Sequence, residues 1–501
     1  MATPQPPRKN LIIITADEMR GDCPGYMGNP DCQTPFLDRF AERSVAFQQH
    51  FAVHGKCLPS RISIASGRYC HTDGLRTVNE SNLLPSGTPN LLPSLKNAGY
   101  ESAVFGINHV WEDFWGDNSK SSGVVDYHCF TRDSFDHLLQ RQYPVEQPGP
   151  GSAPIRFSPD TPSLEVTRLT EPITYMSDDN RTEQAIHYLR TVRDRTRPFF
   201  LQLNLGAPHP PYQVEEPYFS MYDREAITPW PYDLPDGAPL HLRKMREFRS
   251  GRAATEADFR QVQAVYYGMI SKVDALLGRF FSAIEEDGYL ENSVVLFTVD
   301  HGDFAGQYGL PEKWDSALND CLLHVPLILH APGLPEGRRV DSLTEHVDIA
   351  PTLLELLGLQ PDWVLHGASL LPAIHGQTRK DVVFADGGHE ADMRRRFNGP
   401  RYDTAADGRT VPATQGKQET YLQAPDTMAR AKMARSERWK LVIRETGGNE
   451  LYDLLEDPYE MYNLWELRES YPDVLLDLQQ RMIEWCLRTD TDRPRQEMVV
   501  A

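Results

Sequence analysis

Cysteine is scarce in this chain: seven residues in 501, at Cys23, Cys32, Cys57, Cys70, Cys129, Cys321 and Cys486. The number is odd and the spacings are not those of a zinc ribbon, so neither a disulfide framework nor a cysteine-built zinc module organises the fold, and reduced thiols are expected. Basic residues are also short, 51 Lys and Arg against 71 Asp and Glu, for a formal charge of -20. That balance excludes a broad nucleic-acid surface, which needs a basic stripe to meet phosphates. It leaves room for a small anionic substrate, because local charge and not net charge sets the potential of a site. No apolar run approaches the length of a membrane span, and no signal-type hydrophobic segment lies in the Pro-rich stretch 1–9. The expectation is a cytoplasmic protein that engages neither membrane nor nucleic acid.

What is present is 40% apolar content, enough for a large core. The run Leu11-Ile12-Ile13-Ile14 ends in Asp17-Glu18, and the run from Ser293 to Val299 ends in Asp300-His301-Gly302. Both read as buried strands that deliver polar groups at their C-terminal ends, the edge where ligands gather in open α/β sheets. Further strand patterns at 102–105, 199–205 and 325–329 alternate with helical patterns at 178–194, 255–286 and 347–357. This alternation predicts an α/β fold, a large mostly parallel central sheet flanked by helices. A polar stretch, 386–435, reads as an insertion or rim. Beyond it lie strands at 439–443 and 450–454 across Gly447-Gly448, then a helix at 473–488. The expected division is a catalytic α/β domain over 1–375 and a C-terminal α+β subdomain over 376–501.

Three carboxylates and an imidazole, Asp17, Glu18, Asp300 and His301, would then share one sheet edge and repel one another unless a cation were bound. Oxygen donors suit Ca2+ first, or Mg2+; the imidazole leaves Mn2+ open. An aspartate after a strand also serves as a helix N-cap, so Asp17 alone carries no conclusion. The pentapeptide Cys57-Leu58-Pro59-Ser60-Arg61, continued by Ser66-Gly67-Arg68-Tyr69, has the pattern of a helix with Pro in its first turn. Such a helix aims its N-terminus at Cys57, where unpaired N–H groups suit a tetrahedral oxyanion, and Lys56, Arg61 and Arg68 add positive charge.

This pattern resembles the C-x-P-S-R signature of the formylglycine-dependent sulfatases, in the alkaline phosphatase superfamily. The resemblance implies an alkaline phosphatase-like fold and a sulfuric ester hydrolase acting on a small-molecule or saccharide sulfate ester. It implies that a formylglycine-generating maturation enzyme oxidises Cys57, and that Asp17, Glu18, Cys57, Asp300 and His301 hold one divalent cation. Glu18 and His301 stand where Asp and Asn are common in the family. Arg61 and Lys313 would meet the sulfate oxygens. His209, in Ala207-Pro208-His209-Pro210-Pro211-Tyr212, would protonate the leaving alcohol, and His109, in Gly106-Ile107-Asn108-His109, would release the product. Ile107 replaces the lysine usual in sulfatases, which keeps a phosphonate monoester or phosphodiester hydrolase of the same superfamily as the alternative. A non-catalytic binder of sulfated ligands is disfavoured because the whole residue set is retained. Tyr212, Trp230 and Arg394 to Arg396 are loop residues that could touch the leaving group, or simply be solvated.

Overall fold

The computed structural model describes residues 8–74, 88–106, 110, 127–129, 154–156, 165–169, 177–250, 254–389 and 420–490. The strand Asn10–Asp17 is buried at every position. Its side chains alternate between two cores, Ile12, Ile14 and Ala16 on one face, Leu11 and Ile13 on the other. A strand that is apolar throughout needs cover on both faces, since its period of two sends successive residues to opposite sides. One cover is the long helix Glu256–Glu286, which contributes Val262, Tyr266, Ile270, Val273 and Leu277 and starts from a Thr255/Asp258 capping box. The other is formed by helices Cys57–Ser66 and Ile349–Leu357, through Leu58, Ile62, Leu353 and Leu354.

The central sheet has eight strands in the order Arg338–Val340, Val45–Phe47, Leu327–His330, Ser293–Val299, Asn10–Asp17, Phe199–Pro208, Glu101–Gly106 and Tyr127–Cys129. Leu327–His330 alone runs against its neighbours, and the other pairings are parallel, as the alternation of patterns predicts. The C-terminal ends of Asn10–Asp17, Phe199–Pro208 and Ser293–Val299 therefore open at one edge. Among the described residues no helix is long and apolar enough to cross a membrane.

A second, antiparallel sheet lies near the C-terminus: Val383–Gly387, Ala431–Arg435, Trp439–Arg444 and Glu450–Asp453 in chain order. The expected pair of strands forms half of it. The rest comes from the borders of the stretch read as an insertion or rim, a correction with a plain cause: both strands are only five residues long, and Val383–Gly387 meets its partner Ala431–Arg435 across more than forty residues, so no local period marks them. Helix Pro472–Thr489 packs Leu478, Met482 and Trp485 against this sheet and against Val53, Tyr69 and Val347 of the larger unit.

A buried ion cluster ties the small sheet to the larger unit through the short helix Asp320–Leu323. Lys440, fully buried, lies 2.8 Å from Asp320 and 2.6 Å from Glu460, and Arg435 lies 2.9 Å from Asp320. Lys440→Met leaves buried carboxylates short of a cation and is expected to cost about 3–5 kcal/mol, read as a lower urea midpoint. Burial pushes Asp320 up, but Arg435 and Lys440 outweigh it and hold the carboxyl below its ordinary 3.8. Its contribution is therefore present above pH 3.8 and is lost as the pH falls further. Glu460, pushed up to about 7 by burial despite Lys440, is already protonated in that range. The variant should accordingly show a shallower loss of stability with acid than the wild type.

Candidate active site

Parallel pairing sets Ala16 beside Val299, so the next residues, Asp17 and Asp300, emerge together at the sheet edge. Arg61 bridges them, with Nη2 3.0 Å from Asp17 Oδ2 and Nε 2.7 Å from Asp300 Oδ2. Backbone N–H groups of Glu18 and His301 donate to Asp300 Oδ1 at 3.2 and 3.0 Å. Glu18 adopts φ 67°, a left-handed conformation that costs a residue with a side chain about 1–3 kcal/mol and persists where its surroundings hold it.

Cys57 is the first residue of helix Cys57–Ser66, preceded by extended Lys56, so Pro59 falls in the first turn as the sequence predicts. The cysteine is buried, with Sγ 3.1 Å from His301 Nε2 and 3.6 Å from Asp17 Oδ1. Ser60 fixes the helix start to the strand: its Oγ donates to the Asp300 carbonyl at 2.5 Å and lies 2.8 Å from His346 Nδ1. Arg68 is a correction. It follows the far end of the helix, pairs with Asp73 at 3.2 Å and donates to the Val364 carbonyl, because a ten-residue helix carries it about 15 Å from Cys57.

The second part of the site centres on Glu18. Its Oε1 is 2.7 Å from Lys313 Nζ and its Oε2 is 3.3 Å from His209 Nε2. His209 Nδ1 lies 2.5 Å from the Pro210 carbonyl, which turns Nε2 toward Glu18. Lys313, only 4% exposed, is not the solvated surface lysine that its residue type alone would suggest. Tyr212 and Trp230 are buried too: Tyr212 donates to Asp303 and accepts from the Glu312 N–H, and Trp230 lies under the Arg20 guanidinium. They form core, not rim, because the aromatic bodies pack against Tyr266 of the long helix. Ile107, His109 and Arg394 to Arg396 lie outside the described residues.

Sequence reasoning missed Asp315. It pairs with Lys56 at 2.6 Å and lies 2.7 Å from His389 Nε2, joining the cysteine loop, the Lys313 loop and the end of the small sheet. Its position two residues after Lys313 is the only local hint; its partners are 74 residues or more away in either direction.

Burial, then Asp300 and Cys57, push Asp17 up to about 8. Burial also raises Asp300, but Arg61 outweighs it and holds that carboxyl low. His301 resists burial and rises to about 9 beside Asp300 and Cys57. His209 also rises, since Glu18 overcomes the effect of burial. A carboxylate that retains a proton near neutrality, beside a second carboxylate, marks a place short of positive charge. Ligand atoms of Asp17, Cys57, Asp300 and His301 all lie within 4.8 Å of one another, and Asp17, Glu18 and His209 form a second such group. The Lys313–Glu18 contact lacks hydrogen-bond angles, so Glu18 Oε1, Oε2 and Lys313 Nζ stay buried without a hydrogen-bond partner among the described residues. Two oxygen donors and an imidazole around position 57 fit a hard or borderline divalent cation, and the orphaned polar atoms fit a further ligand next to it.

Comparisons with known proteins identify the family. The family model described as Sulfatase matches residues 9–359. The chain is 26% identical to the multifunctional alkaline phosphatase superfamily protein PehA of Trinickia caryophylli, over 96% of this chain and 95% of that protein. It is 26% identical to arylsulfatase K of Danio rerio, over 94% of this chain and 82% of that one. The crystal structure of the phosphonate monoester hydrolase of Agrobacterium radiobacter superposes with a TM-score of 0.74 at 24% identity, covering 96% of both chains. With the family matched from the first strand to the end of helix Ile349–Leu357, the protein belongs to the sulfatase family, the sulfuric ester hydrolases of the alkaline phosphatase superfamily.

Proposed function

We propose that this protein hydrolyses sulfate monoesters, of a saccharide or another small alcohol, after a maturation enzyme has oxidised Cys57 to formylglycine. The observation that carries the reading is the meeting of Cys57 with Asp17, Asp300 and His301 within 4.8 Å at a helix N-terminus. Asp17, Asp300 and His301, with Glu18 beside them, would hold a divalent cation, Ca2+ before Mg2+ or Mn2+. That ion would acidify an oxygen held at position 57 and neutralise the carboxylates. Formylglycine supplies as its hydrate one hydroxyl for attack at sulfur and a second whose deprotonation expels the sulfate as the carbonyl re-forms. Arg61 keeps the two aspartates oriented and adds positive charge next to the sulfate. Lys313 Nζ, desolvated and without a hydrogen-bond partner among the described residues, would turn from Glu18 to a sulfate oxygen. His209 Nε2 holds a proton because Glu18 favours the imidazolium, and passes it to the leaving alcohol. His109 takes the proton whose loss releases the product.

A phosphonate monoester or phosphodiester hydrolase is the second reading. Ile107 favours it, since it stands in the sequence where sulfatases carry a lysine and would leave the anion site one cation short, and the similarity to PehA and to a phosphonate monoester hydrolase points the same way. Both readings predict a preference for singly charged anions. With 4-nitrophenyl sulfate, phenylphosphonate and phosphate esters at one pH, kcat/KM should rank the sulfate first, the phosphonate monoester and phosphodiester next, and the doubly charged phosphate monoester last. A phosphonate or diester in first place selects the second reading. The phosphate monoester in first place refutes both.

A further inference from the structure

We infer that Asp178 positions the proton donor His209. Asp178 lies in the first turn of helix Ser177–His187 and is 8% exposed. Its Oδ1 accepts the Gly206 N–H at 2.8 Å and its Oδ2 accepts the Ala207 N–H at 2.8 Å. These two amides lie near the C-terminal end of the strand Phe199–Pro208, and His209 is the residue that follows the strand. A carboxylate that takes successive N–H groups on its two oxygens fixes both peptide planes at once. The Gly206 carbonyl, in the second of those planes, accepts the His209 N–H at 3.1 Å and closes the turn. From there His209 Nδ1 meets the Pro210 carbonyl, and Nε2 is left facing Glu18.

The clamp is itself held. Arg181 Nη1 lies 2.5 Å from Asp178 Oδ1, and Thr182 Oγ1 donates to the Asp178 carbonyl at 2.9 Å. The neighbouring acid secures the other side of the loop: Lys272 of the long helix joins Asp179 at 3.0 Å to Glu215 at 2.6 Å, in the strand Tyr212–Glu215 that follows. The start of one helix thus grips the His209 loop before and after the imidazole. Asp178 touches no reacting atom, so it acts through peptide geometry alone. The inference rests on the reading of His209 as the donor of the proton that the leaving oxygen receives when its bond to sulfur breaks.

A leaving-group series separates positioning from folding. Aryl sulfates of strongly to weakly acidic phenols, or the matching phenylphosphonates if these turn over faster, are assayed with mature wild type, Asp178→Asn and His209→Ala. Asn keeps the shape of Asp178 but turns an NH2 group toward one of the two amides. For Asp178→Asn, kcat/KM should stay within about threefold for the most acidic phenol and fall about 100-fold for the least acidic, the range expected for lost general acid catalysis. His209→Ala should steepen the same dependence. A uniform loss across the series for Asp178→Asn, with a steepened slope for His209→Ala, overturns the inference and leaves the acid role of His209 standing. No steepening for His209→Ala removes the acid role, and the inference with it. Should Asp178→Asn fail to fold, Arg181→Met, which releases the carboxylate from its guanidinium, must show a steepened slope in its place; a flat one is equally a refutation.

Discussion

Cys57→Ser should lose steady turnover by at least about 1,000-fold while binding metal and folding as the wild type does. A serine can accept the sulfuryl group but has no second hydroxyl to expel it, so one equivalent of product is released and the enzyme then stays esterified. Mass spectrometry checks both halves. The tryptic peptide that ends at Arg61 should carry formylglycine in active wild type and a sulfate ester in the substrate-treated serine variant. Full activity in protein that contains only the thiol would refute the nucleophile. The position itself supports the chemistry. Cys57 heads a buried helix, within 3.6 Å of Asp17 and 3.1 Å of His301, where an attached oxygen would complete the donor set.

Asp300→Asn should weaken metal binding by at least about 100-fold and lower activity with it. Asp300 lies at the centre of the site: it pairs with Arg61, accepts from the backbone of Glu18 and His301, and its own carbonyl accepts from Ser60. An amide there offers one acceptor oxygen, and its NH2 group would face the Arg61 guanidinium. His301→Asn should be milder, because related sites use an amide at that place. Elemental analysis of gently purified proteins, paired with activity in a chelator titration, reads the outcome. Wild-type activity in fully metal-free protein would exclude the cation.

The strand Asn10–Asp17 was legible because both of its faces are apolar, and a run with no polar face has no place outside a covered sheet. The helix at Cys57 was legible from the Pro of its first turn, and the long helix Glu256–Glu286 from its helical pattern over 255–286. Strands Val383–Gly387 and Ala431–Arg435 were not, since short strands owe their existence to partners and not to their own pattern. The same reason hid Asp315 and Asp178, whose roles lie in atoms supplied by distant segments.

The sequence by itself determined the family, the mostly parallel sheet and the candidate site residues, because cysteine, carboxylates and imidazoles are covalent facts, each lying in a short recognisable stretch. Tertiary structure alone decided how they divide. Asp17, Asp300 and His301 gather around Cys57, whereas Glu18, turned by its left-handed backbone, faces Lys313 and His209. It also withdrew Arg68 from Cys57 and put Tyr212 and Trp230 into the core. The physical reason is that charge and hydrogen bonding act over a few ångströms of space, and which residues share those few ångströms is set by strand register and helix packing, not by their separation along the chain.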